Sequence, residues 1–156
     1  MERFPEERSP RYIPPEEDFW KVYEAASFQE KVMLTVAIYK GARRGEIFRL
    51  TWEDVDFASN RIRLWTRKRE GGSNEFNFLP MSEQLRSFLR LWWEKRPVKD
   101  SEHLFLSENP VPGRKNKPLI YNNQMMRRLC TKASVKRFGF HGIRMVIITP
   151  PDILIF

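Results

Sequence analysis

Four side chains have types and spacing suited to handling a phosphate: Arg43, Lys68, His141 and Arg144. Two arginines from distant segments suit the clamping of nonbridging phosphate oxygens. Guanidinium stays charged at any working pH and pairs bidentately with planar oxygen geometry. A lysine at a hairpin tip can approach the same group and lend a proton to a leaving oxygen. His141 precedes Arg144 by three residues, which puts both on one helical face, where an imidazole can orient a group or exchange a proton. Charges fixed in this way stabilise a pentavalent phosphorane where negative charge develops. Each residue also has a plainer reading. Arg43 and Arg44 fit as surface charges, Lys68 within Arg67-Lys68-Arg69 as a solvated tip, and His141 as a structural histidine.

The charge distribution points the same way. The 156-residue chain has 28 Lys and Arg against 20 Asp and Glu, a net charge of +8 and a pI near 9.9, which favours a polyanionic partner. Residues 1–30 hold eight acids and four bases, whereas 109–151 hold no acid and nine bases. These are Arg114, Lys115, Lys117, Arg127, Arg128, Lys132, Lys136, Arg137 and Arg144, and their +9 exceeds the charge of the whole chain. Phosphate neutralisation by nucleic acid is the expected use of such a stretch. One cysteine and two histidines exclude a disulfide framework and a Cys/His zinc site; neither a metal nor another cofactor is expected. The opening MERFPEERSP lacks the apolar run of a signal peptide, and no stretch approaches the ~20 apolar residues of a membrane span. The expectation is a cytoplasmic protein without membrane contact.

The elements that must position these residues follow from pattern. Prolines 5, 10 and 14 mark residues 1–14 as an extended lead-in rather than packed structure. Pro15 followed by Glu16, Glu17 and Asp18 predicts a helix with proline at its first position. Ser27 and Glu30 form a capping box for a second helix to Lys40, ended by Gly41, and a third helical segment spans Arg43–Leu50. Alternation over 61–66 puts Ile62 and Leu64 inside and Arg61 and Arg63 outside. A turn at Gly71-Gly72-Ser73-Asn74 and a return strand over 76–79 complete a hairpin. Ser82 caps a helix carrying Leu85, Phe88, Leu89, Trp92 and Trp93, with the tryptophan pair read as core or interface. Residues 103–106 are a short apolar stretch of open state, and 110–118 a basic loop. Asn122 or Asn123 caps a helix with Met125, Met126, Leu129 and an inert buried Cys130 on one face, and a last turn surrounds His141. The predicted fold is α+β, a mainly helical single domain with a small antiparallel hairpin or sheet.

The order of these motifs is more specific than any one of them. The segment Gly41-Ala-Arg43-Arg-Gly-Glu46-Ile-Phe-Arg-Leu50-Thr-Trp52-Glu-Asp54-Val-Asp56 resembles the first arginine box of the tyrosine recombinase (phage integrase) family. Residues 62–80 resemble the family's lysine-bearing hairpin, and Phe140-His141-Gly-Ile-Arg144 its His-x-x-Arg box. The resemblance covers residues 12–144 and implies an integrase-like catalytic domain over 15–144. It implies that Arg43 and Arg144 grip a scissile phosphate of duplex DNA, that His141 assists and that Glu46 supports the helix junction. Lys68 would protonate the leaving 5′ oxygen, with Arg67 the competing candidate. DNA contacts are expected from Arg67, Arg69 and the basic stretch.

The family cuts DNA through a tyrosine that forms a 3′-phosphotyrosyl link. Here no tyrosine follows Tyr121, and residues 145–156 read as an atypical apolar tail with Pro150-Pro151. The expectation is therefore a partial catalytic domain that binds DNA without cleaving it. Alternatives are a regulatory module that competes with or poisons an intact recombinase by association, and an inert mobile-element remnant prone to self-association.

Overall fold

The structure, a computed structural model, describes residues 12–67, 72, 74–119 and 124–146. The expected Lys68, Arg69, the Asn122 or Asn123 cap, residues 1–11 and the tail beyond 146 lie outside the described residues. Among the described residues there are six helices and a three-stranded antiparallel sheet: α1 (Glu16–Ala25), α2 (Phe28–Lys40), α3 (Arg44–Phe48), β1 (Val55–Asp56), β2 (Arg61–Arg67), β3 (Asn74–Pro80), α4 (Glu83–Lys95), α5 (Gln124–Lys132) and α6 (Phe140–Arg144). The α+β reading holds. The hairpin has gained a third strand, because Val55 and Asp56 pair with Ile62 and Arg61.

The local chemistry explains the boundaries. Pro15 is the N-cap of α1, one position earlier than predicted, with extended backbone (ψ 148°). At α2 the capping box is complete: Glu30 N–H donates to Ser27 Oγ at 3.3 Å, and Ser27 N–H donates to Glu30 Oε1 at 2.9 Å. Gly41 closes α2 in the left-handed region (φ 59°), where a side chain would be strained. Helix α3 is shorter than its predicted span, ending at Phe48 before a 3-10 turn over Trp52–Asp54. Ser82 caps α4 as expected, accepting from Leu85 N–H at 3.2 Å.

The core gathers around α2, which touches α1, α3, α4 and α6. Phe28 meets Phe88 edge-on at 5.3 Å and Trp92 at 5.6 Å. Ile62 and Leu64 are buried, as their alternation requires, and Met125, Met126, Leu129 and Cys130 bury one face of α5. The Cys130 thiol donates to Phe138 O at 3.6 Å; burial pushes its pKa up, with that hydrogen bond opposing. Trp92 is buried and donates Nε1–H to Leu104 O at 2.8 Å, while Trp93 is exposed and stacks edge-on against Trp52 at 4.7 Å.

Residues 103–106 are extended. Trp52 N–H donates to Glu102 O (2.8 Å) and Leu104 N–H to Leu50 O (3.1 Å), so this segment lies antiparallel to the chain leaving α3. Two residues on, the carboxamide of Gln29 takes over: its Nε2 donates to Leu106 O at 2.7 Å and its Oε1 accepts from Leu106 N–H at 2.9 Å. The basic loop is closed at its base by Ser107 N–H to Lys117 O (2.7 Å) and Asn116 N–H to Ser107 O (2.8 Å). Tyr12 and Pro14 of the expected lead-in are not bare chain. Pro14 is buried, and both approach α6 at Gly142, where a Cβ would lie 3.2 Å from Pro14 Cδ.

Candidate nucleic-acid interface

Arg43 is the N-cap of α3, exposed, with extended backbone (φ −78°, ψ 155°). Its N–H donates to Glu46 Oε1 at 2.8 Å. A guanidinium carries donors only, so the reciprocal half of a capping box cannot form, and the carboxylate fixes the backbone of Arg43 without engaging its head. At the other end of this short helix Phe48 meets Phe140 of α6 edge-on, ring centroids 5.9 Å apart. That contact joins the two segments that carry the arginines. His141 and Arg144 follow on α6, both exposed.

The hairpin is held against the arginine segment by one buried carboxylate. Asp54 is only 2% exposed and accepts four hydrogen bonds. Its Oδ2 takes Thr51 N–H (2.9 Å) and Thr51 Oγ1–H (3.1 Å); its Oδ1 takes Arg63 Nε–H (2.8 Å) and Trp65 Nε1–H (2.9 Å). Saturating both oxygens in this way is what permits a carboxylate to be buried. Arg49 adds a second tie, from Nη2 to Trp65 O at 3.4 Å, and Lys40 Nζ donates to Pro80 O at the hairpin base. Residue-type reasoning passed over Asp54, because its partners lie nine and eleven residues ahead on another element. Its place in the antiparallel extension of Val55↔Ile62, opposite Arg63, is the signal that locates it.

Arg67 is the last residue of β2, opposite Asn74. The bases of the C-terminal stretch divide by surroundings. Arg114, Lys115 and Lys117 are exposed in the loop closed at Ser107, and Arg127 and Arg137 are exposed on or beyond α5. Three others also hold the fold. Arg128 pairs with the buried Glu30, Lys132 Nζ donates at 3.1 Å to the carbonyl of Ala25, the last residue of α1, and Lys136 Nζ sits 4.1 Å from the centroid of the Tyr12 ring.

Between α5, the α1–α2 junction and the loop lies an open cleft of about 1030 Å³, with Glu30, Glu108 and Arg128 on its wall. Ser27 Oγ donates to Glu108 Oε2 at 2.9 Å. Burial pushes the Glu108 carboxyl up from its ordinary value; the Ser27 hydrogen bond opposes this, and the Glu30 carboxylate adds to it. Among the described residues no three His, Cys, Asp or Glu side chains gather to hold a metal, and no helix is long and apolar enough to cross a membrane.

The fold has clear counterparts. XerA recombinase superposes with a TM-score of 0.62 at 24% identity, over 86% of this chain and 49% of that one. The Tn1549 transposon integrase in complex with transposon right end DNA gives 0.64 at 19%, over 89% and 52%. A lambda integrase dimer bound to a COC' core site gives 0.61 at 15%, over 90% and 52%. At these identities the likeness carries the fold, and the chain spans about half the length of each. Among curated proteins, none matches at a significant level. The phage integrase family profile matches residues 16–149, a span that includes Arg43, the hairpin and the His141–Arg144 segment, and the chain belongs to the phage integrase (tyrosine recombinase) family.

Proposed function

We propose that this chain engages duplex DNA through the phosphate-gripping part of a site-specific recombination domain. Arg43 and Arg144 clamp the nonbridging oxygens of the scissile phosphate, His141 assists, and Lys68 (or Arg67) approaches the leaving 5′ oxygen. The observation that carries this reading is the contact of Phe48 with Phe140, which joins the helices bearing the two arginines from opposite ends of the chain. Exposure of Arg43, His141 and Arg144 leaves them accessible to a backbone phosphate. Two guanidiniums, at the N-cap of α3 and the end of α6, raise the affinity for a phosphate whose charge grows in the transition state. Arg114, Lys115, Lys117, Arg127 and Arg137 contribute the sequence-independent part of binding, and a cytoplasmic location fits a DNA partner.

Arg43→Ala and Arg144→Ala should each weaken binding to a cleavage-site duplex about tenfold at low salt and reduce the slope of log K against log salt by about one. Titration by fluorescence anisotropy across salt reads both, and equal binding by wild type and both variants would refute the clamp.

Residues 1–156 contain no tyrosine beyond Tyr121, so we infer that this polypeptide by itself binds without forming a phosphotyrosyl link. A nicked suicide duplex should yield no denaturant-resistant adduct, and an adduct would restore strand cleavage to these residues. Association with a second copy or with an intact recombinase on DNA is the corresponding regulatory reading. Of these, association with a second copy is favoured by the DNA-bound dimer of lambda integrase. Unchanged recombination by an active relative mixed with this chain would count against it.

A further inference from the structure

The face of β2 and β3 turned away from the core is rich in aromatic rings, and among the described residues it stays partly exposed. Strand register sets Arg63 opposite Phe78 and Trp65 opposite Phe76. Phe76 and Phe78 remain 46% and 41% exposed, a cost that an ordinary solvent face of a sheet avoids. The rings form a connected series: Trp65 and Phe76 centroids lie 4.8 Å apart, and Phe76 and Phe78 5.4 Å. Guanidiniums extend it, with Arg61 4.1 Å from the Phe78 centroid and Arg63 5.0 Å from that of Trp65.

The two guanidiniums within the series are held by carboxylates, Arg61 by Asp56 at 3.4 Å and Arg63 by Asp54 at 2.8 Å. These ion pairs fix the planes and leave the face itself close to neutral. At its edge Arg49 is exposed and donates to the backbone carbonyls of Gly45 and Trp65, and among the described residues it meets no carboxylate at ion-pair distance. A fixed series of aromatic and guanidinium planes bordered by an available cation matches a single-stranded nucleic acid, whose bases offer π-faces and whose backbone offers phosphates. Duplex DNA hides those faces in its stack. A protein partner could use the rings and pair a carboxylate with Arg49, and it is the alternative that the test separates.

We propose that the outer face of the β2–β3 hairpin is a stacking platform for unpaired DNA bases. This surface is separate from the phosphate clamp of Arg43 and Arg144 and stands or falls independently of it. The test uses the full chain and three labelled probes: a short oligothymidylate, an abasic oligomer of equal length, and a duplex. Wild type should bind oligothymidylate about tenfold or more tightly than the abasic oligomer. The double variant Phe76→Ala with Phe78→Ala should abolish that difference and leave abasic and duplex affinities unchanged, whereas Phe78→Tyr should retain it. Because both rings are exposed, an unchanged melting temperature verifies that the variants remain folded. Equal binding of the two single-stranded probes by wild type would overturn the platform. So would an equal loss on all three probes, or a dimer in sedimentation that the double variant dissolves. The last result would assign the face to a second copy of the chain. Failure of the clamp would be read separately, from Arg43→Ala on the duplex.

Discussion

Asp54 joins Thr51 of its own turn to Arg63 and Trp65 of β2, so two segments share one buried charge. Asp54→Ala leaves the Arg63 guanidinium and the Trp65 indole N–H without their acceptor. The expected loss is about 3 kcal/mol of unfolding free energy, at the lower end for a broken buried pair because Arg63 is partly solvated. Urea denaturation with an unchanged m-value checks it. Other residue-scale features were open to reading from spacing alone. The Ser27–Glu30 box, the Gly41 stop and the Ser82 cap need only residues three or four positions apart, and all three were legible. Asp54 was not, since its carboxylate acts across strands whose register no local pattern reveals.

At the scale of elements, short pieces were harder to see than long ones. Two residues of β1 cannot display a period of two, so the third strand escaped notice. Residues 103–106 take their extended form from the chain at 50–52, a partner about fifty residues away. The junction of α2 with the basic loop carries a pH dependence. Since the Glu108 carboxyl titrates higher in the fold than in the unfolded chain, the fold binds more protons just above the ordinary glutamate value of 4.5. Its contribution to stability is therefore full below that value and declines as pH rises through the raised one. Glu108→Gln keeps an acceptor for Ser27 Oγ and should melt with a flatter profile over this window in calorimetry. A second element-scale prediction concerns α6. Gly142→Leu places a branched side chain where even a Cβ would crowd Pro14, and should displace residues 12–14 and lower Tm by several degrees, about 2 kcal/mol for an overpacked contact.

Across the whole molecule, the basic C-terminal stretch was visible in the charge arithmetic, but its division of labour was not. Counting charges cannot tell Arg128, which neutralises the buried Glu30, from Arg114, which is exposed on the loop. Their variants should separate. Removing Arg114, Lys115 and Lys117 together should lower the salt slope of DNA binding by up to about three while leaving Tm within a degree or so. Arg128→Ala should lower Tm by several degrees, because it strands a buried carboxylate. Salt-dependent binding and thermal melts on wild type and these two variants test both.

The paired hydrogen bonds of Gln29 with Leu106 mean that a helix side chain completes the backbone pairing of an extended segment. An amide carried on α2 thus performs the office of a neighbouring strand, and residue 106 is indexed to one rung of that helix. Insertions should be tolerated between 109 and 115, beyond the closure at Ser107, but not between 104 and 106, where one added residue would slide the chain off its rung. The molecule has, in effect, a fixed origin from which the basic loop is free to vary in length.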